Sequence, residues 1–170
     1  MSLVCFRLDL DSTPWDAGSG YGVEQARLVR LFDFARRTGV KFHVFASSRC
    51  LRASPGLVDA VLSDGHDLDW LYLGDRLDEE WANAATLLAG TGHSWQGVGH
   101  LNLVAVESWL EGLHFISHAE GDTVFADSAI VPLPTVRFSL AMTEPEAVEA
   151  TVLSALGQGQ TVRTARDLLR

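Results

Sequence analysis

Cysteine is scarce in this chain, with only Cys5 and Cys50 among 170 residues. Two distant thiols can build neither a disulfide framework nor a cysteine zinc cluster. Basic residues are also few: 13 Lys and Arg stand against 22 Asp and Glu, a net charge of −9 at pH 7, and protonating all 6 histidines would leave it negative. Attraction to a phosphate backbone needs a clustered basic face, and none is visible, so no nucleic acid is expected as a partner. No apolar run approaches the roughly 20 residues of a membrane-spanning helix. The N-terminus lacks the basic stretch, apolar stretch and cleavage site of a secretory leader. Nucleotide-binding and hydrolase signatures are missing too. GSGYG at 18–22 has no following Lys-Ser/Thr, no G-x-G-x-x-G follows a strand, and there is no G-x-S-x-G nucleophile turn. The expectation is a soluble, cytoplasmic protein. What is abundant is apolar residues, at 47%, enough for one domain over residues 1–170 that buries about 70% of its extended surface.

Strand and helix signals alternate. Residues 4–10 place Phe6, Leu8 and Leu10 on one side and Arg7 and Asp9 on the other, the period of a strand. A Pro/Gly/Ser-rich loop at 12–22 precedes helical spacing over 23–37, which Gly39 ends. Further strands are predicted at 40–47, 66–73 and 95–99, with helices at 56–64, 77–89 and about 101–110. Extended segments follow at 114–118, 123–126 and 135–140, then a helix at 146–156 behind Pro145 and a closing segment at 161–169. At least four strand–helix alternations argue for an α/β fold with a mainly parallel sheet, open or barrel-like. A complete eight-unit barrel takes about 250 residues, so any barrel here is shortened.

Sites in parallel α/β folds lie beyond the carboxyl ends of the strands. There the first strand offers Asp9 and Asp11, a pair suited to holding a divalent cation or dividing into base and ligand; capping the next loop and helix is the equal alternative. The third strand offers Asp69, Trp70 and Tyr72, with Asp75 past its end. Asp69 sits mid-strand, where a carboxylate is costly unless paired. His66 follows Gly65 at the wrong end for a site and reads as a hydrogen-bonded structural histidine. Trp95 and His100 lie on the fourth unit. Trp70 and Trp95 suggest an aromatic wall, although tryptophan is more often core.

These segments carry a resemblance. FRLDLDST at 6–13 resembles the first motif of NodB-type polysaccharide deacetylases, in the branch of the lipid-linked aminoarabinose deformylases, where it reads R-I/V-D-V-D-T. The likeness continues in order through 36–47, 57–74, 97–117 and 126–138. It implies a shortened, distorted TIM-like (β/α) barrel and descent from enzymes that hydrolyse the C–N bond of N-acylated sugars. It also implies Asp9 as catalytic base and Asp11 as metal ligand. The family's H-x-x-x-H pair falls on Leu71 and Asp75, of which only Asp75 can bind metal. The arginine of its R-x-P motif falls on Gly99, with His100 alongside, and the late histidine has no counterpart.

Three readings follow. In the first, Asp9 is the base and Asp11 and Asp75, with a relocated histidine, hold zinc or a similar divalent metal to hydrolyse a carbohydrate amide or small amide. In the second, a pseudoenzyme without metal binds a carbohydrate between Trp15, Asp69, Trp70, Tyr72, Trp95 and His100. In the third, the domain is structural and self-associates as a homodimer.

Overall fold

The structure, a computed structural model, describes residues 2–11, 20–74, 77–100, 113–117, 123–126 and 129–169. The first strand, β1 (Leu3–Leu10), is buried along nearly its whole length. Phe6, Leu8 and Leu10 join the large apolar cluster under the helices, while Cys5 belongs to a second cluster on the opposite face. After it come α1 (Gly20–Thr38), β2 (His43–Ala46), α2 (Ser48–Ala53), α3 (Leu57–Ser63), β3 (Asp67–Tyr72), α4 (Leu77–Leu87) and β4 (Gly97–His100). The remainder is β5 (Phe115–Ser117), β6 (Thr123–Ala126), β7 (Ala129–Pro132), β8 (Thr135–Ser139), α5 (Pro145–Gly157), β9 (Thr161–Val162) and a 3₁₀ turn at Arg166–Leu169.

The strands form one sheet in the order β7-β6-β5-β4-β3-β2-β1-β8, with β9 also paired to β1. All neighbours run parallel except β5–β6 and β6–β7. One edge of β1 is shared: β9 pairs with Leu3 and Val4, and β8 takes over from Cys5 to Asp9. Among the described residues β7 and β8 do not pair, so the curled parallel sheet with its helices is a shortened half-barrel. This is the architecture the alternation and the resemblance imply.

Local chemistry explains most boundaries. Gly39 and Gly65 follow α1 and α3 with φ of 72° and 79°, a left-handed conformation that costs glycine little. Pro145 occupies the first turn of α5, where its missing N–H costs nothing. Two elements escaped the sequence reading. One is α2, whose first turn is capped by the Ser47 hydroxyl accepting from the Cys50 amide at 3.2 Å, at a serine pair that reads as plain loop. The other is β7, four residues that carry little period. The helix expected at 101–110 lies outside the described residues.

His66 behaves as the structural histidine expected. It is 4% exposed, its Nδ1 accepts from the Phe42 amide at 3.2 Å, and its ring lies 4.3 Å from that of Phe32. Burial lowers its pKa to about 4, so the ring is neutral at pH 7.

The inner face of the sheet is packed rather than hollow. Phe45, Leu71, Phe115 and Leu133 meet there with Cys5 and Ala165. A Cβ on Gly97 would fall 2.0 Å from Cε2 of Phe115. Gly97→Ala is therefore expected to destabilise by roughly 1–3 kcal/mol through overpacking, read as a lower urea midpoint. Combining it with Phe115→Leu should recover part of the loss, and a Gly97→Ala variant as stable as the parent would contradict the close approach.

Candidate functional site

The mouth of the half-barrel, at the carboxyl ends of β1 to β5, is where the sequence places chemistry. Asp9 turns inward there and is 3% exposed. Its neighbours are guanidinium groups. Arg7, two residues back on the same face, donates from Nε to Oδ1 at 2.7 Å and from Nη2 to Oδ2 at 3.1 Å. Arg137 on β8 donates from Nε to Oδ2 at 2.5 Å. Arg7 is fully buried, crosses the inside of the curl to reach the Ser117 carbonyl at 2.8 Å and hydroxyl at 3.2 Å, and lies 4.7 Å from the centre of the Phe45 ring.

Space for Arg7 comes from Gly99: a Cβ at that position would lie 2.8 Å from Arg7 Nη2 and 2.6 Å from Phe45 Cδ1. The position where the resemblance expects an arginine is thus a glycine, and β1 supplies a guanidinium to the same space. Arg137 differs from Arg7 in being partly open, with 31% of its side chain exposed. Among the described residues its Nε is engaged by Asp9 and its Nη groups have no hydrogen-bond partner.

Asp11 lies beyond the strand end, 29% exposed, and accepts from Arg49 at the start of α2, from Nε at 2.7 Å and from Nη2 at 2.5 Å. The two carboxylates thus have different partners, Asp9 with Arg7 and Arg137, and Asp11 with Arg49.

Asp69 pairs in register with Phe45, as Asp9 does on the other side of β2, but serves the opposite end of the barrel. It is fully buried and receives five hydrogen bonds. Arg166 of the closing 3₁₀ turn donates from Nε at 2.7 Å and from Nη2 at 2.9 Å, His43 Nε2 stands at 2.8 Å, and the Gln96 and Gly97 amides donate at 2.8 and 3.0 Å. His43 Nδ1 accepts from the Ala165 amide at 3.3 Å, which leaves Nε2 as the protonated, donating nitrogen. Burial alone would raise the Asp69 pKa, but the hydrogen bonds from His43 and Arg166 outweigh it and hold the carboxyl below its usual range. The C-terminal turn is thereby locked under the barrel, and Thr164 adds a hydrogen bond to Asp67. The mid-strand carboxylate is paired, and its partners are structural.

The aromatic wall does not form at the mouth. Trp70 is 1% exposed, faces the helices, donates its indole N–H to the Ser48 hydroxyl at 3.1 Å, and packs on Tyr72 and Trp81. Trp95 is 6% exposed and donates to the Ala84 carbonyl of α4 at 2.8 Å. Neither offers an open ring face to a sugar. Trp15, Asp75 and the side chain of His100 lie outside the described residues. Reasoning from sequence missed Arg7, Arg137 and Arg49 as partners of the aspartates. The one signal was the shared face of Arg7 and Asp9 in the alternating strand.

A divalent cation does not fit the residues seen here. Among the described residues no three His, Cys, Asp or Glu side chains gather as a metal site. Asp9 already faces two positive groups, which repel a cation, and Leu71, where the resemblance expects a histidine, is 2% exposed in the inner apolar cluster. A catalytic zinc site takes about three protein ligands and a water.

The curled parallel sheet and its helices define a shortened barrel of the deacetylase type. Solved structures of one protein, wild type and mutant, have the same fold. The wild-type CE4 family pseudoenzyme BA3943 from Bacillus anthracis superposes with a TM-score of 0.64 at 11% identity, over 98% of this chain and 65% of that one. A BA3943 mutant with restored enzymatic activity gives 0.61 at 12% identity, over 98% and 67%. A peptidoglycan deacetylase from Bdellovibrio bacteriovorus, Bd3279, gives 0.47 at 14% identity, over 95% and 46%. The chain thus spans about two thirds of the length of the pseudoenzyme. No family model and no curated protein matches the sequence.

Proposed function

We propose that this chain is a deacetylase-fold pseudoenzyme, a carbohydrate-binding protein whose mouth carries guanidinium groups where an amide hydrolase holds its metal. The observation that supports this most is Asp9 clasped between Arg7 and Arg137. A base must reach the water it deprotonates, and both oxygens of Asp9 are already engaged by Arg7 and Arg137. The same geometry suits recognition. The guanidinium of Arg137, 31% exposed, is a planar fork, and such a fork pairs with carboxylate oxygens in a bidentate manner. An acidic sugar is the ligand this favours.

The test combines three measurements on the purified protein. After incubation with zinc, cobalt or manganese and desalting, metal content is expected well below one ion per chain. Acetate release from N-acetylated oligosaccharides is expected at background. Uronic-acid oligosaccharides are expected to raise the melting temperature, as any ligand selective for the folded state must, and Arg137→Gln is expected to remove that rise. One metal per chain together with acetate release that Asp11→Ala abolishes would overturn the proposal. It would favour instead the hydrolase in which Asp9 is base and Asp11 and Asp75 hold the ion.

A further inference from the structure

The helix α2 stops at Ser54, whose backbone leaves the helical region with φ −128° and ψ 72°, because the ring of Pro55 disfavours a helical residue before it. Beside this break, on the other face of the sheet from Asp9, a cavity of about 370 Å³ opens between α1 and the α2–α3 pair. Leu28, Phe32, Cys50 and Leu57 supply its apolar wall. Ser54 lines it as well and is 6% exposed. The Ser54 amide donates to the Cys50 and Leu51 carbonyls, and its carbonyl accepts from the Leu57 amide. Its hydroxyl alone has no hydrogen-bond partner among the described residues. A buried hydroxyl left unpaired is a standing cost to the fold, and a ligand oxygen beside it would remove that cost.

The charged side chains of the lining are engaged with partners of their own. Arg36 pairs with Asp33 and, at 3.7 Å, with Asp64, and Glu24 has its own interaction. Burial pushes the Cys50 thiol in the wall up to about 12, and surroundings that keep a thiol neutral also disfavour a carboxylate ligand. An uncharged molecule suits this wall. Ligand sites of this kind are mostly apolar, with a few polar groups that fix orientation, and here that group is one hydroxyl. Size sets the body: a cavity of about 150 Å³ holds benzene, so this one holds a ring with a short tether.

We propose that the cavity between α1 and the α2–α3 pair is a binding site for a small uncharged ring alcohol, with its ring among Leu28, Phe32 and Leu57 and its oxygen hydrogen-bonded to the Ser54 hydroxyl. The site is independent of the mouth and of whether any sugar binds there.

Four probes of one shape test it: phenethyl alcohol, propylbenzene, protonated phenethylamine and phenylacetate. The alcohol is expected to raise the melting temperature in a concentration-dependent way. The two ions are expected to bind about tenfold more weakly or worse, since each would carry a charge out of water. Propylbenzene, with a methyl group in place of the hydroxyl, is expected to bind through the apolar wall alone. Ser54→Ala is expected to weaken the alcohol by roughly two- to tenfold, the worth of one neutral hydrogen bond, and to leave propylbenzene unchanged. Ala60→Phe, at an exposed position on the lining, is expected to fill the space and diminish the response to both while the protein stays folded. No response to the alcohol, an equal loss for alcohol and hydrocarbon in Ser54→Ala, an undiminished response in Ala60→Phe, or an ion bound as tightly as the alcohol would each overturn the proposal.

Discussion

Asp69→Ala is expected to bring the chain close to global unfolding at room temperature. The carboxylate is fully buried and holds Arg166, His43 and the amides of Gln96 and Gly97 at once. Its removal leaves the Arg166 guanidinium, itself 8% exposed, without a counter-charge, at a cost of roughly 3–5 kcal/mol. Each orphaned amide adds about 1–3 kcal/mol. The sum rivals the whole stability of an ordinary domain, about 5–15 kcal/mol. Asp69→Asn keeps the shape and some acceptors but not the charge, so an intermediate loss is expected. Urea denaturation followed by tryptophan fluorescence reads both. An Asp69→Ala unfolding free energy within about 1 kcal/mol of the parent, at the usual precision of such measurements, would show that the turn at Arg166–Leu169 is not a structural lock.

The second large effect concerns Asp9 and separates two roles for one residue. If Asp9 holds Arg7 and Arg137 together, Asp9→Ala takes a counter-charge and two hydrogen bonds from the fully buried Arg7, at roughly 3–5 kcal/mol of stability. Arg137, 31% exposed, can turn toward water and contributes less. If Asp9 were instead a base poised for catalysis, its loss would cost activity while leaving stability unchanged or improved, the usual trade-off at active sites. The double variant Asp9→Ala with Arg7→Leu removes both charges and is expected to recover much of the loss. Buried pairs replaced as a unit by apolar groups are often neutral, and the coupling is read from the double-mutant cycle. A fully stable Asp9→Ala would mean the arginines do not need it.

The same two residues show how much could be read in advance. The period of two across residues 4–10 placed Arg7 and Asp9 on one face, and in the structure that face is the inside of the curl. Alternation is a local property of an extended backbone, so it survives without tertiary knowledge. What the alternation cannot say is whether Asp9 faces a cation of the solvent or of the chain. Its second guanidinium comes from Arg137 on β8, 128 positions away in sequence. Trp70 illustrates a different gap. Its strand position was legible, but the face it occupies depends on register, and register turned its ring toward α4 and away from the mouth. The Ser47 cap of α2 was missed because a serine pair after a strand is equally good loop chemistry.

By itself, then, the order of apolar periods and stops along the chain determined an α/β protein with a mainly parallel sheet, since each strand and helix declares itself over a few neighbouring residues, and the resemblance added the shortened barrel. Only the tertiary structure decided what the buried charges do. Arg7, Arg137 and Arg166 reach Asp9 and Asp69 by crossing the barrel or returning from its last turn. Coulomb and hydrogen-bond energies act over a few ångströms of space, whatever the distance along the chain.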